Sequence, residues 1–280
     1  MSIRVVTDSS AIVPKAWTEA YPLEVVPLQL AWPDGTVMQG DPPYEQVMAE
    51  LQRRDPPQTA APSPGAFAEL FERMLRPADA RILVISPPTD FSTTFSSASL
   101  AAREVGSERV RVLDARTAAA GQGVVAREAA RSAASPGSTL DEVCDAALRA
   151  ASHTQIWATL ANLDRLRRSG RVPAVAAIGA GALHLHPVVR YAGGSPSPVG
   201  VTRSAPRAAD RILRAWERSV QAGRSLTLVA FHCERGDEAS AIAARVHHRV
   251  PQAEVHVVPA TASLAAHTGP GLLGIAWLWH

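Results

Sequence analysis

The sequence predicts an α/β protein with two parts: an N-terminal parallel-sheet domain and a C-terminal domain built on a mixed sheet. Three observations predict it. Short β-branched, apolar runs alternate with longer stretches whose apolar residues recur at helical spacing. In the first half, the runs end on Asp8, Ser86 and Asp114, which places polar residues at the carboxyl ends of strands, where open parallel sheets bind ligands. The second half is richer in strand-like runs and has turns at Gly193-Gly194-Ser195-Pro196 and Gly223.

Strands are expected over 3–7, 25–32, 81–86 and 109–113, and then over 155–159, 183–191, 226–233, 254–258 and 272–279. Between them, Asp41-Pro42 precedes Tyr44, Val47, Met48 and Leu51, an apolar stripe behind a capping residue and a first-turn proline. Ser63-Pro64 repeats the device ahead of Phe67, Leu70, Phe71 and Met74. Ser138, with Asp141 three residues on, is expected to cap a helix carrying Val143, Ala147 and Leu148. Residues 118–134 and 207–220 read as further helices, and another is expected to start near Asn162. The domain boundary is placed between 152 and 153, giving parts 1–152 and 153–280, with the last strand able to return against the first part.

Composition narrows the function. The chain has 280 residues, 46% hydrophobic and 19% charged, enough for a substantial core. A net charge of +2, from 28 basic and 26 acidic residues, leaves no electrostatic footprint for nucleic acid. Cys144 and Cys233 sit in no ligand spacing and read as free thiols of a reducing compartment. The opening residues read as a strand rather than a targeting segment, and no apolar run reaches the ~18 residues of a membrane span. A cytoplasmic location without stable membrane insertion is expected.

Hydroxyls collect at the strand ends: Thr7-Asp8-Ser9-Ser10, Thr59 ahead of Pro62-Ser63-Pro64, and Ser92-Thr93-Thr94. Hydroxyls and free amides at a helix start suit a carboxylate or phosphate; plain capping is the alternative. Ser92 with His267 and either Asp8 or Asp114 also has the residue types of a hydrolase triad, without a nucleophile-elbow sequence. Gly179-Ala180-Gly181 is too short for a dinucleotide fingerprint and no phosphate-loop sequence is present. His184 and His186 alternate along a strand with no third ligand near in sequence, so no metal or cofactor is expected.

Eight short motifs, in order, resemble the DegV family. They are Thr7-Asp8-Ser9-Ser10, then Val26-Pro27-Leu28, then Thr59-Ala60-Ala61-Pro62-Ser63, then Phe91-Ser92-Thr93-Thr94-Phe95-Ser96-Ser97-Ala98. Asp114 with Gly121 and Gly123, Leu166-Arg167-Arg168-Ser169-Gly170-Arg171, His186-Pro187, and His267-Thr268-Gly269-Pro270-Gly271 follow. The resemblance spans the chain and implies a two-domain protein, not itself an enzyme, that buries one long-chain fatty acid between its domains.

By the same resemblance, Thr59 and Ser92 hold the carboxylate, with His267 beside it. Arg171 and Arg203 are implied contacts for a phosphate or a partner, and Asp8, Ser9, Thr94 and Gly170 support the site. The implied partner is a separate ATP-binding kinase subunit that turns the bound acid into an acyl phosphate. The chain departs from the family pattern at Ala60, which removes a hydroxyl, and at Thr93 and Ser169, which stand where glycines are usual. A β-branched Thr93 resists a left-handed backbone.

Overall fold

A computed structural model describes residues 2–38, 42–53, 55–106, 108–161, 163, 165–166, 185–192 and 194–280. Along the chain the elements are β1 (Ser2–Asp8), α1 (Lys15–Ala20), β2 (Leu23–Val26), β3 (Gln29–Ala31), β4 (Val37–Met38), α2 (Tyr44–Arg53), β5 (Gln58–Ala60) and α3 (Pro64–Met74). They continue with β6 (Ala80–Ser86), α4 (Thr94–Val105), β7 (Val110–Asp114), α5 (Ala120–Ala133), α6 (Leu140–His153) and β8 (Gln155–Thr159). The remainder are β9 (His186–Ala192), β10 (Ser195–Thr202), α7 (Ala205–Glu217), β11 (Leu226–His232), α8 (Gly236–Arg249), β12 (Glu254–Pro259), α9 (Ala262–Thr268) and β13 (Leu273–Trp279).

The first sheet runs β2-β1-β6-β7 with every pair parallel. Parallel strands covered on both faces bury both sets of side chains, and β1 and β6 divide theirs by alternation. Val5, Leu83 and Ile85 point into one apolar cluster with residues of α5 and α6. Val6, Ile82 and Val84 point into another with residues of α3 and α4. The strands end on Asp8, Ser86 and Asp114, the polar ends expected from the sequence.

The second sheet is mixed, in the order β10-β9-β8-β13-β11-β12, with only β11 and β12 parallel. One face gives Leu228, Ala230, Ile275 and Trp277 to a cluster with α7 and α8. The other gives Ile156, Val229, Phe231 and Ala276 to the cluster shared with the first sheet. Helix α5 touches strands of both sheets, and its residues from Ala120 to Ala130 are all buried. A helix wedged between two sheets must be thin, which accounts for its alanines and glycines. A Cβ on Gly123 would overlap the Ile12 carbonyl, and one on Gly121 would strike Thr117 and Ile156. The third sheet, β4-β3-β5, is small and antiparallel and carries Thr59 opposite Leu30.

Several local expectations change. The run 25–32 is not one strand. It breaks around Pro27 into β2 of the first sheet and β3 of the third, since proline has no N–H for a ladder. Helix α6 is capped by Thr139 in a capping box with Glu142, not by Ser138, whose hydroxyl donates to the Ser132 carbonyl at 2.7 Å. Strand β10 begins where the sequence suggests a turn, at Ser195-Pro196. It lies at the sheet edge, where prolines are tolerated, with its register broken between Pro198 and Gly200. Ser63 caps α3 as expected, accepting from the Ala66 amide at 3.1 Å. Asp41, the helix start at Asn162, the strand start at 183, Gly179 to Gly181, His184 and Gly193 lie outside the described residues. No helix among the described residues is long and apolar enough to cross a membrane.

The wedge position of α5 makes a measurable asymmetry between glycines. Gly123→Ala must push α5 from the Ile12 carbonyl, so urea unfolding should show a loss of about 1–3 kcal/mol. Gly65→Ala, on the exposed first turn of α3 with only Ser63 Oγ at 3.8 Å, should be neutral or stabilising by up to about 1 kcal/mol.

Candidate functional site

The carboxyl end of β1 is tied to its neighbours by side chains. Thr7 donates its hydroxyl to the Ile85 carbonyl at 2.8 Å and accepts from Gln122 Nε2 of α5 at 2.9 Å. Asp8, fully buried, uses both carboxyl oxygens. Oδ1 accepts from the Ser10 amide at 3.1 Å, the Ser10 hydroxyl at 2.5 Å and Gln122 Nε2 at 3.3 Å. Oδ2 accepts from the Thr94 hydroxyl at 2.6 Å. Burial pushes the Asp8 carboxyl above the ordinary carboxylate range, and the bonds from Ser10, Thr94 and Gln122 only partly oppose it.

From Thr94 the network reaches Ser92. Their hydroxyl oxygens are 3.0 Å apart, and the Thr94 amide donates to Ser92 Oγ at 3.2 Å. Thr93 has φ −86° and ψ 4°, so a β-branched residue fits where the family pattern has glycine. No left-handed turn is needed at that point.

Two further elements bring the other candidates. Thr261 caps α9 through the Leu264 amide, and Gly269 ends the helix with φ 67°, placing His267 in its last turn. Helix α9 lies against β5, and Thr59 Oγ1 stands 2.8 Å from His267 Nε2.

Thr59, Ser92 and His267 all line one cavity of about 610 Å³, together with Ser10, Leu28, Asp90, Phe91 and Ser263 among others. That volume is typical of a small-molecule site. A second space of about 130 Å³ shares Phe91, Ala118, Ala119, Leu166 and Leu264 with the first. It continues along the second sheet past Ile156, Val189, Phe231 and Leu272, and among the described residues only Arg190, Tyr191 and Thr268 interrupt its apolar wall. The arrangement is polar at one end and apolar at the other.

The remaining candidates fall elsewhere. Ser9 accepts the Leu28 amide at 2.9 Å and shapes the turn after β1. Arg203 is exposed between β10 and α7 and does not line the cavity. Gly170 and Arg171 lie outside the described residues. Gln122, Asp90 and Ser263 are not among the residues the sequence singles out, and Ser10 enters there only as part of its motif. Of these, Gln122 had a signal, as the one long polar side chain early in an otherwise small-residue helix. Ser263 donates to the Ser9 carbonyl at 2.8 Å and so links α9 to the first sheet. The two cysteines are free and buried, and burial pushes the Cys233 thiol up to about 11. No cluster of three or more possible metal ligands occurs among the described residues.

The family model described as "Uncharacterised protein, DegV family" matches residues 2–279, and the chain belongs to that family. A DegV domain-containing protein of Streptomyces coelicolor is 34% identical, over 98% of this chain and 97% of its own. A Thermotoga maritima protein named fatty acid-binding protein is 24% identical, over 98% of this chain and 96% of its own. Among solved structures, a DegV family protein of Thermus thermophilus, reported for its fatty acid binding, is 26% identical with a TM-score of 0.90, each chain fully covered.

Proposed function

We propose that this protein binds one long-chain fatty acid, with the carboxylate at Thr59, Ser92 and His267 and the alkyl chain along the apolar extension. The observation that carries the reading is the polarity of the cavity: three hydroxyl or imidazole groups from separate elements gather at one end, and the other end is walled by apolar side chains. Burying each CH₂ contributes about 0.8 kcal/mol, so the tail supplies affinity. The carboxylate enters only if donors replace its water. The fatty-acid binding reported for the Thermus thermophilus relative supports the same reading.

The alternative, a serine hydrolase, is disfavoured by the partners in place. Ser92 is engaged with Thr94, His267 with Thr59, and Asp8 with Thr94, Ser10 and Gln122. Asp114 accepts from the Arg116 and Thr89 amides. These carboxylates therefore orient other groups and not an imidazole. Our reading extends to an ATP-dependent kinase subunit that phosphorylates the held carboxylate, with Arg171 and Arg203 contacting that subunit or the phosphate.

Three outcomes test this. Organic extraction of the purified chain, followed by mass spectrometry, should release about one acid of roughly 14–18 carbons per chain, the size of common bilayer acyl groups. A folded protein that carries no lipid and takes none up would refute the reading. Ser92→Ala and Thr59→Ala should each weaken fatty-acid affinity by about 1–3 kcal/mol, and wild-type affinity in the double variant would remove the head-group assignment. Arg171→Ala and Arg203→Ala should hold the acid within about 1 kcal/mol of wild type yet form much less acyl phosphate with a kinase subunit and ATP. Undiminished phosphorylation would dismiss the role given to these arginines.

A further inference from the structure

The polar end of the cavity contains a hydrogen-bond chain with one proton too few. Asp8 Oδ2, Thr94 Oγ1 and Ser92 Oγ stand in sequence, 2.6 Å and 3.0 Å apart. A ligand carboxylate oxygen at Ser92 would be the fourth oxygen, making three contacts in all. The chain owns two hydroxyl protons, those of Thr94 and Ser92. With Asp8 and the ligand both ionised, one of the three contacts has no hydrogen in it. If Thr94 donates to Asp8 and Ser92 donates to Thr94, Ser92 turns a lone pair toward the ligand anion. If Ser92 donates to the ligand, the Ser92 and Thr94 oxygens face each other without a proton. A proton on Asp8 resolves both cases: Asp8 donates to Thr94, Thr94 to Ser92, and Ser92 to the ligand.

We propose that Asp8 is the positioning residue of the head-group site, taking up one proton from solvent as a carboxylate binds at Ser92. The inference rests on the fatty-acid reading above. In balance, ionised protein, ionised ligand and one proton give a complex in which Asp8 is a neutral carboxylic acid. No bond other than O–H forms.

The surroundings favour that state. Every group bonded to Asp8 is neutral: Ser10, Thr94 and Gln122. On α5, the nearest charges are Arg127 and Glu128, which pair with each other, with Arg127 also on Glu254 and Glu128 also on Arg131. On β2, Glu24 pairs with Arg73 and Arg4. Beyond β6, Asp114 is held by backbone amides. Among the described residues, the titratable groups that face the cavity itself are Asp90, ahead of α4, and His267 on α9. Burial already shifts the Asp8 carboxyl toward its neutral form before any ligand arrives.

The sign follows from linkage. A complex that holds one more proton than the free protein loses affinity as pH rises, tenfold per unit, between the Asp8 titration in the free protein and that in the complex. The test uses sodium laurate, whose carboxylate is ionised throughout the range used, with delipidated full-length protein between about pH 6 and 8. Binding enthalpies in phosphate and Tris, which differ in ionisation heat, give the number of protons taken up. Wild type should take up close to one proton in the window where affinity falls.

Asp8→Asn supplies the amide donor to Thr94 permanently while its oxygen keeps the Ser10 and Gln122 bonds. It should bind with no proton uptake, with affinity constant within about twofold across the range, and at least tenfold tighter than wild type at the alkaline end. Thr94→Val, which interrupts the chain between two intact ends, should also abolish uptake. A merely structural Asp8 would instead give an Asp8→Asn protein weaker than wild type at every pH, which overturns the proposal. So does laurate binding by wild type without proton uptake, a measurement that needs no variant. Absence of laurate binding by wild type at any pH would overturn the fatty-acid reading and this proposal together, whereas binding without uptake overturns the Asp8 role alone.

Discussion

A carboxyl group taken out of water with no cation against it must be met by neutral donors, and the carboxyl end of the first sheet is organised around meeting one. Four donors reach Asp8, from its own turn, from α4 and from α5. Each contact fixes an element. The parallel pairing of β1 with β6 sets Thr7 beside Ile85, so that Thr7 can accept from the Gln122 that also serves Asp8. The bond to Thr94 fixes the first turn of α4 and, through it, the Ser92 hydroxyl. An unmet donor or acceptor at this depth costs several kcal/mol, so these elements are held in register by polar necessity as much as by apolar burial.

A half-buried carboxylate shows what a cation changes. Glu254, opening β12, meets Arg127 of α5, the indole N–H of Trp17 at 2.5 Å and His256 at 3.0 Å. Burial pushes its carboxyl up, but the bonds from His256 and Trp17 and the Arg127 charge outweigh it and hold the group at about 2. Asp8, lacking such a partner, is shifted the other way. The same helix therefore carries a committed ion pair near Arg127 and a carboxyl poised toward neutrality beside Gln122. The guanidinium of Arg127 also lies over the Trp17 and Tyr21 rings, 5.8 and 5.7 Å from their centroids, which ties α1 to the wedge helix.

The sequence made the parallel sheet legible because its central strands are largely apolar and β1, β6 and β7 each stop at a polar residue. Ser63-Pro64 and the stripe behind it were equally plain. What escaped was structure decided by position. Nothing local distinguishes a central strand from an edge one, so the Ser195-Pro196 start of β10 reads as turn. Pro27 divides one apolar run between two sheets, a choice made by tertiary pairing. At the site, Thr59, Ser92 and His267 were recognisable as polar residues in motifs, but they come from segments far apart in the chain. Their shared cavity and the Asp8–Thr94–Ser92 order exist only once the sheets have closed around α5. Gln122 was overlooked because the alanines around it read as an ordinary helix, and only the sandwich between sheets makes its amide a buried donor.

The prolines of β10 have a consequence for the solution behaviour of the chain. The second sheet ends at β10 on one side, and an outermost strand with free amides is a template on which another chain can crystallise its own strand. Pro196 and Pro198 remove two of those amides, and the register break before Gly200 twists the margin out of plane. Growth by strand addition stops there, so a sheet of six strands ending in β10 can remain exposed at its margin without seeding fibrils.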